Sequence, residues 1–101
     1  MSVREFRVET PSTSQEIRAA AGKIFATGKG TLTLVGVEIG NELAERRGTV
    51  EHRTFELEIL SLEPGTDSFS IEAQDISPEG PKQWLKVYQT EDREVHIQVA
   101  E

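Results

Sequence analysis

Arg46, Arg47 and Arg53 form the main basic concentration of the chain, straddling the end of an expected helix and the strand after it. Guanidinium groups gathered in this way suit phosphate oxygens, which they engage through two parallel hydrogen bonds. Arginines at a helix C-terminus also answer the helix dipole, and Glu45 and Glu51 lie close by in sequence. Carboxylates pair at Glu42 with Glu45, Glu56 with Glu58, and Glu91 with Asp92. Such pairs are the raw material of glycoside hydrolysis or of a calcium cage. Here Glu56 and Glu58 fall on the solvent phase of an alternating segment and Glu91-Asp92 in a turn, so hydration accounts for them. His52 and His96 stand apart, and neither has a second histidine at ligand spacing.

Two further segments invite an anion. Thr27-Gly28-Lys29-Gly30-Thr31 has the composition of a phosphate loop, but it follows an expected helix and precedes a strand, the reverse of the order that chemistry needs. A glycine helix stop with a lysine beside the helix terminus explains the same residues. Thr10-Pro11-Ser12-Thr13-Ser14 sets hydroxyls at an expected helix N-terminus, where they serve equally as caps; Thr13 with Glu16, or Ser12 with Gln15, completes a capping box. No Gly-x-Ser-x-Gly turn is present for a serine nucleophile. With no cysteine at all, disulfides, thiolate catalysis, zinc ribbons and iron–sulfur clusters are excluded. The residues therefore point to no catalytic site, no cofactor and no metal.

Charge narrows the partners. The net charge of −7 repels polyphosphate and anionic lipid on average, so nucleic acid is disfavoured unless basic groups gather locally. The N-terminal residues Met1 to Phe6 alternate polar and apolar, no apolar run nears the length of a membrane span, and the missing cysteines fit a reducing interior. A cytoplasmic protein with no membrane contact is the expectation. A chain of 101 residues has the size of one domain with a thin stability margin, for which dimerisation is a natural supplement.

The elements that must position these side chains follow from periodicity. Arg4 to Val8 reads as a strand with Phe6 and Val8 on one face and Val3 and Arg7 on the other. Ile17, Ala20, Ala21, Ile24 and Phe25 make a single helical stripe, stopped at Gly28. Thr31 to Val37 is a β-branched strand, and Glu38 to Arg47 is expected to be a second helix with Ile39, Leu43 and Ala44 inward. Beyond it, period-two alternation marks four strands, through Phe55-Leu57-Ile59, Phe69-Ile71-Ala73, Leu85-Val87 and Val95-Ile97-Val99. Turns are expected at Glu63 to Asp67 and at Thr90-Glu91-Asp92, with a longer bend from Ser77 to Pro81. The expected architecture is a single α+β domain over 1–101, in the order βαβα followed by an antiparallel four-strand meander, with both helices packed on one face of a mixed sheet.

Five apolar residues fall out of phase with this pattern: Leu60, Leu62, Ile76, Trp84 and Tyr88. Either a bulge flips the register or a second apolar surface exists. The reading preferred from the sequence is a partner surface, most simply that of a homodimer.

The first half of the chain resembles the Alba and stage V sporulation protein S group. The resemblance lies in Phe6-Arg7-Val8, the alanine-rich helix Glu16 to Thr27, Gly28-Lys29-Gly30, the strand Thr31 to Val35 and Gly36-Val37-Glu38-Ile39-Gly40-Asn41. It implies a small dimeric protein associated with nucleic acid. Where that group carries lysines, between its first strand and first helix, this chain has Thr10-Pro11-Ser12-Thr13-Ser14, so no nucleic-acid residue is carried over. Two functions are expected from the sequence. The first is a non-enzymatic, homodimeric interaction domain binding a protein through the out-of-phase apolar residues. The alternative is an Alba-like nucleic-acid protein using Arg46, Arg47 and Arg53.

Overall fold

The computed structural model describes residues 3–9, 14–28, 30–64, 69–78 and 83–100. Its elements are β1 (Val3–Val8), α1 (Ser14–Thr27), β2 (Leu32–Ile39), α2 (Glu42–Arg47), β3 (His52–Pro64), β4 (Phe69–Asp75), β5 (Trp84–Gln89) and β6 (Val95–Ala100). Each strand pairs antiparallel with its neighbour in the chain, and β6 turns back onto β1 with Val3 opposite Ala100 and Arg7 opposite His96. The result is a closed six-stranded barrel.

This overturns the expected α+β architecture. A helix between two strands suggests a crossover joining parallel neighbours, but β1 and β2 pair antiparallel, Val8 opposite Gly36. The helix between them does not cross a sheet face; it folds over the end of the barrel. The four final strands do pair in succession, yet they do not form a separate sheet, because β1 and β2 complete the same ring.

Closure gives the alternation its meaning. Every second residue of each strand points into the barrel, and in a small barrel those side chains fill the interior. Phe6, Leu34, Phe55, Leu57, Ile71, Val87, Ile97 and Val99 are all buried there. Gly36 shares the inward phase of β2, where a Cβ would lie 2.9 Å from the Phe6 Cβ and 3.3 Å from the Phe55 ring. Its missing side chain is the space in which Phe6 and Phe55 meet edge to face, with centroids 5.1 Å apart.

The two ends are closed differently. α1 joins the end of β1 to the start of β2 and packs mainly on β3, burying Ile17 and Ala21 and partly burying Ala20 and Ile24. Phe25, expected on the same stripe, is half exposed. At the other end, α2 is shorter than expected and buries nothing. Glu38 and Ile39 continue β2, Gly40 turns the chain with φ +80°, and Asn41 caps the helix by accepting the Ala44 N–H at 3.2 Å. Leu43, expected inward, is 58% exposed. Neither helix packs on a sheet face in the way the sequence suggested.

The out-of-phase leucines have a local cause. The β3–β4 register shifts between Ile59 and Ser61, a bulge that returns Leu62 to the inward phase, where it packs against the core. The tip after β5 is a turn in which Thr90 N–H donates to Glu94 O and Arg93 adopts φ +65°. The candidate anion loop at Thr10–Thr13, its capping pairs, Lys29, and most of the turns at 65–68 and 79–82 lie outside the described residues. Among the described residues, no helix is long and apolar enough to cross a membrane.

Candidate functional site

The α2 end of the barrel holds the densest polar cluster among the described residues. Arg4 of β1 donates to Glu38 of β2 at 2.8 Å and also to Glu51, just before β3; Arg53 of β3 donates to Glu51 at 3.1 Å. Asn41 adds a hydrogen bond to the second Glu38 oxygen at 3.3 Å. The guanidinium of Arg53 lies 5.1 Å from the Phe6 centroid and 5.7 Å from that of Phe55, and Arg4 lies 5.2 Å from Phe6. The cations thus sit over the aromatic core while their N–H groups hold carboxylates. The hydrogen bond from Arg4 and the charge and hydrogen bond of Arg53 hold the Glu51 carboxyl below its ordinary range, against a smaller opposing effect of burial.

This cluster divides the arginines that the sequence groups together. Arg53 is committed to Glu51 and the aromatic pair, whereas Arg46 and Arg47 stand exposed on α2, with no ion pair among the described residues. No buried side-chain nitrogen or oxygen among the described residues lacks a partner, so the barrel end presents no orphaned group aimed at a ligand. The cluster lies over the aromatic end of the core, against Phe6 and Phe55.

A second polar group lies on the outer surface. Tyr88 of β5 reaches across β6 to donate its hydroxyl to Glu5 of β1 at 2.7 Å, and its ring meets His96 edge to face at 5.7 Å. The His96 Nε2 is 3.1 Å from Glu94 Oε2. Burial, then the Glu5 carboxylate beside it, push the Tyr88 phenol up to about 12. A phenol so disposed stays protonated and ties strands together; it is no general base near neutrality. The His52 Nε2 lies 3.0 Å from Glu9 Oε1. No group of three or more metal-ligating side chains converges among the described residues.

The five residues expected at an interface have different fates. Leu62 packs inward; Tyr88 and Ile76 are half-buried; Leu60 is 38% exposed; and Trp84 is 64% exposed. Trp84 faces outward opposite Gln74 on β4, and the β5–β6 register sets it beside Ala100, which in turn faces Val3. Val3 is itself 57% exposed. Trp84, Ala100 and Val3 therefore form an apolar row across three strands, in a shallow groove of about 370 Å³ that also takes in Glu72, Lys86 and Gln98. Sequence reasoning missed Val3 and Ala100 because only the closing β1–β6 pair brings them to Trp84.

Another depression among the described residues is a cleft of about 310 Å³ where the end of α1 meets β3. Ile24, Phe25, Ile59 and Ile76 supply apolar walls, with Thr31 and Glu58 among the polar lining. Gly28 closes the helix here, its N–H donating to Ile24 O at 2.9 Å with φ +67°.

Comparison with protein-family models, with curated proteins and with solved structures yields no match in any of the three.

Proposed function

We propose that this chain is a non-enzymatic binding domain that recognises a protein through the outer face of β4, β5, β6 and β1, and that its partner is a second copy of itself. The observation that carries the reading is the exposed indole of Trp84, set in an apolar row with Ala100 and Val3. Tryptophan is the side chain that most often dominates the energy of an interface, because it buries a large rigid area for little lost freedom. The surroundings suit a two-fold partner: Glu72 and Lys86 are cross-strand neighbours beside the row, so a copy related by a dyad meets opposite charges as well as apolar surface. A standard interface takes about 800 Å² from each partner, a modest share of the 6663 Å² this chain exposes. A cytoplasmic setting accompanies this reading, since a chain without cysteine draws nothing from an oxidising compartment.

Sedimentation at micromolar concentration tests it. The native chain should sediment as a dimer and Trp84→Asp as a folded monomer, with unchanged far-ultraviolet circular dichroism. An aspartate variant with native fold and the native mass, or a native chain that stays monomeric at high concentration, overturns the proposal.

A further inference from the structure

The face that carries Trp84 is built of rows that cross several strands, and one of these rows holds uncommitted charge. Glu72 of β4, Lys86 of β5, Gln98 of β6 and Glu5 of β1 are successive cross-strand partners. Glu72 and Lys86 are both exposed and both line the Trp84 groove. Opposite charges directly across an antiparallel pair attract, yet no ion pair joins these two to each other or to any other group among the described residues. Glu5, at the far end of the row, accepts a hydrogen bond from the neutral hydroxyl of Tyr88 and so keeps its negative charge. The row therefore reads acid, base, neutral amide, acid.

Resting on the homodimer proposed above, we infer that its two-fold axis runs along the strands between β4 and β5, so that Lys86 of each copy pairs with the partner's Glu72. Such an axis exchanges the two strands it lies between, and each residue then meets the copy of its own cross-strand neighbour. The Lys86–Glu72 contact forms twice, and Trp84 faces the partner's Gln74, whose amide oxygen accepts from an indole N–H. The two indoles fall on opposite sides of the axis, offset by one strand spacing of about 5 Å. Neighbouring axes fit worse. Between β5 and β6 the row sets Glu72 against the partner's Glu5, and between β6 and β1 it lays the Lys86 ammonium on the partner's Ile39. Trp84 thus supplies area, while the charged pair decides how the copies are placed.

Mixing charge-reversed chains tests the inference, because it separates contacts between copies from contacts within one barrel. Glu72→Lys leaves a chain with two cations at these positions, and Lys86→Glu one with two anions. Each alone should dimerise at least roughly tenfold more weakly than the native chain, read by sedimentation at low salt, with unchanged far-ultraviolet circular dichroism. An equimolar mixture of the two should form a heterodimer within about threefold of the native affinity. Neither chain has then regained an opposite charge inside its own barrel, so the recovery reports the contact between copies alone. The double variant, Glu72→Lys with Lys86→Glu in one chain, should self-associate as the native protein does. Single variants that dimerise like the native chain, a mixture no tighter than its components, or a monomeric double variant overturns the inference and leaves the homodimer standing with its axis elsewhere. A native chain that stays monomeric overturns both.

Discussion

The two ends of the barrel solve the same problem with opposite chemistry. At one end α1 lays Ile17 and Ala21 over the core, an apolar plug whose strength is the area it removes from water. At the other end α2 buries nothing, and the opening is filled by Arg4, Glu38, Glu51 and Arg53, with the guanidinium groups over Phe6 and Phe55. The apolar plug should be strong and indifferent to pH. The ionic one is geometrically specific, recovers little net free energy after desolvation, and depends on the charge of its carboxylates. A contrast of this kind can be broken experimentally.

Ile17→Ala should have the largest effect, about 2–5 kcal/mol of lost stability by urea unfolding, because it opens a cavity beneath the helix. A loss below about 1 kcal/mol would show that α1 is not the plug described. Glu38→Leu alone should cost about 1–3 kcal/mol, since it leaves the half-buried Arg4 with one carboxylate fewer. Combined with Arg4→Met, most of that cost should return, as a matched removal leaves no unpaired charge; additive losses would show that the two side chains are not coupled. Acid sharpens the same contrast. Glu51 titrates below its ordinary 4.5, so its contribution is complete above that value and disappears as pH falls through the depressed one. Amide protection at the α2 end should therefore fail before protection under α1. The smallest effect belongs to the outer surface: Tyr88→Phe should cost about 0.5–1.5 kcal/mol. The phenol's folded value is raised from 10 to about 12, so its contribution is intact below 10 and fades as pH climbs to 12. The phenylalanine variant should lose that alkaline sensitivity.

Much of this architecture is legible in the chain. The stripe through Ile17, Ala21 and Ile24 marks α1, and period-two alternation marks the later strands because each has one wet and one dry face. Closure is not legible, since the pairing of Val3 with Ala100 joins the first strand to the last and leaves no local signature. The boundary of α2 was missed because Val37, Glu38 and Ile39 suit a strand as well as a helix, and Gly40 decides between them by taking a positive φ. The ionic seal did leave a trace. Arg4 shares its phase with Phe6 and Val8, Glu38 with Leu32 and Leu34, and Arg53 with Phe55 and Leu57. Three charges on the dry phase of three strands, all at strand ends, is the pattern of a lined opening; read singly, each looks like solvated surface. For the proposed interface, Trp84 was visible as an exposed aromatic out of phase, whereas Leu62 was misread because a bulge cannot be told from a partner surface by alternation alone.

The seam between β1 and β6 also governs how the molecule comes into being. A nascent chain can form its hairpins one by one, but the ring shuts only after the last strand has been made and has found the first, by then separated from it by nearly the whole chain. Until that moment the edges of β1 and β5 stay unpaired and the aromatic core is open to water on one side. The finished ring exposes no edge for another strand to join, so the danger of edge-to-edge aggregation is concentrated in synthesis and vanishes at closure.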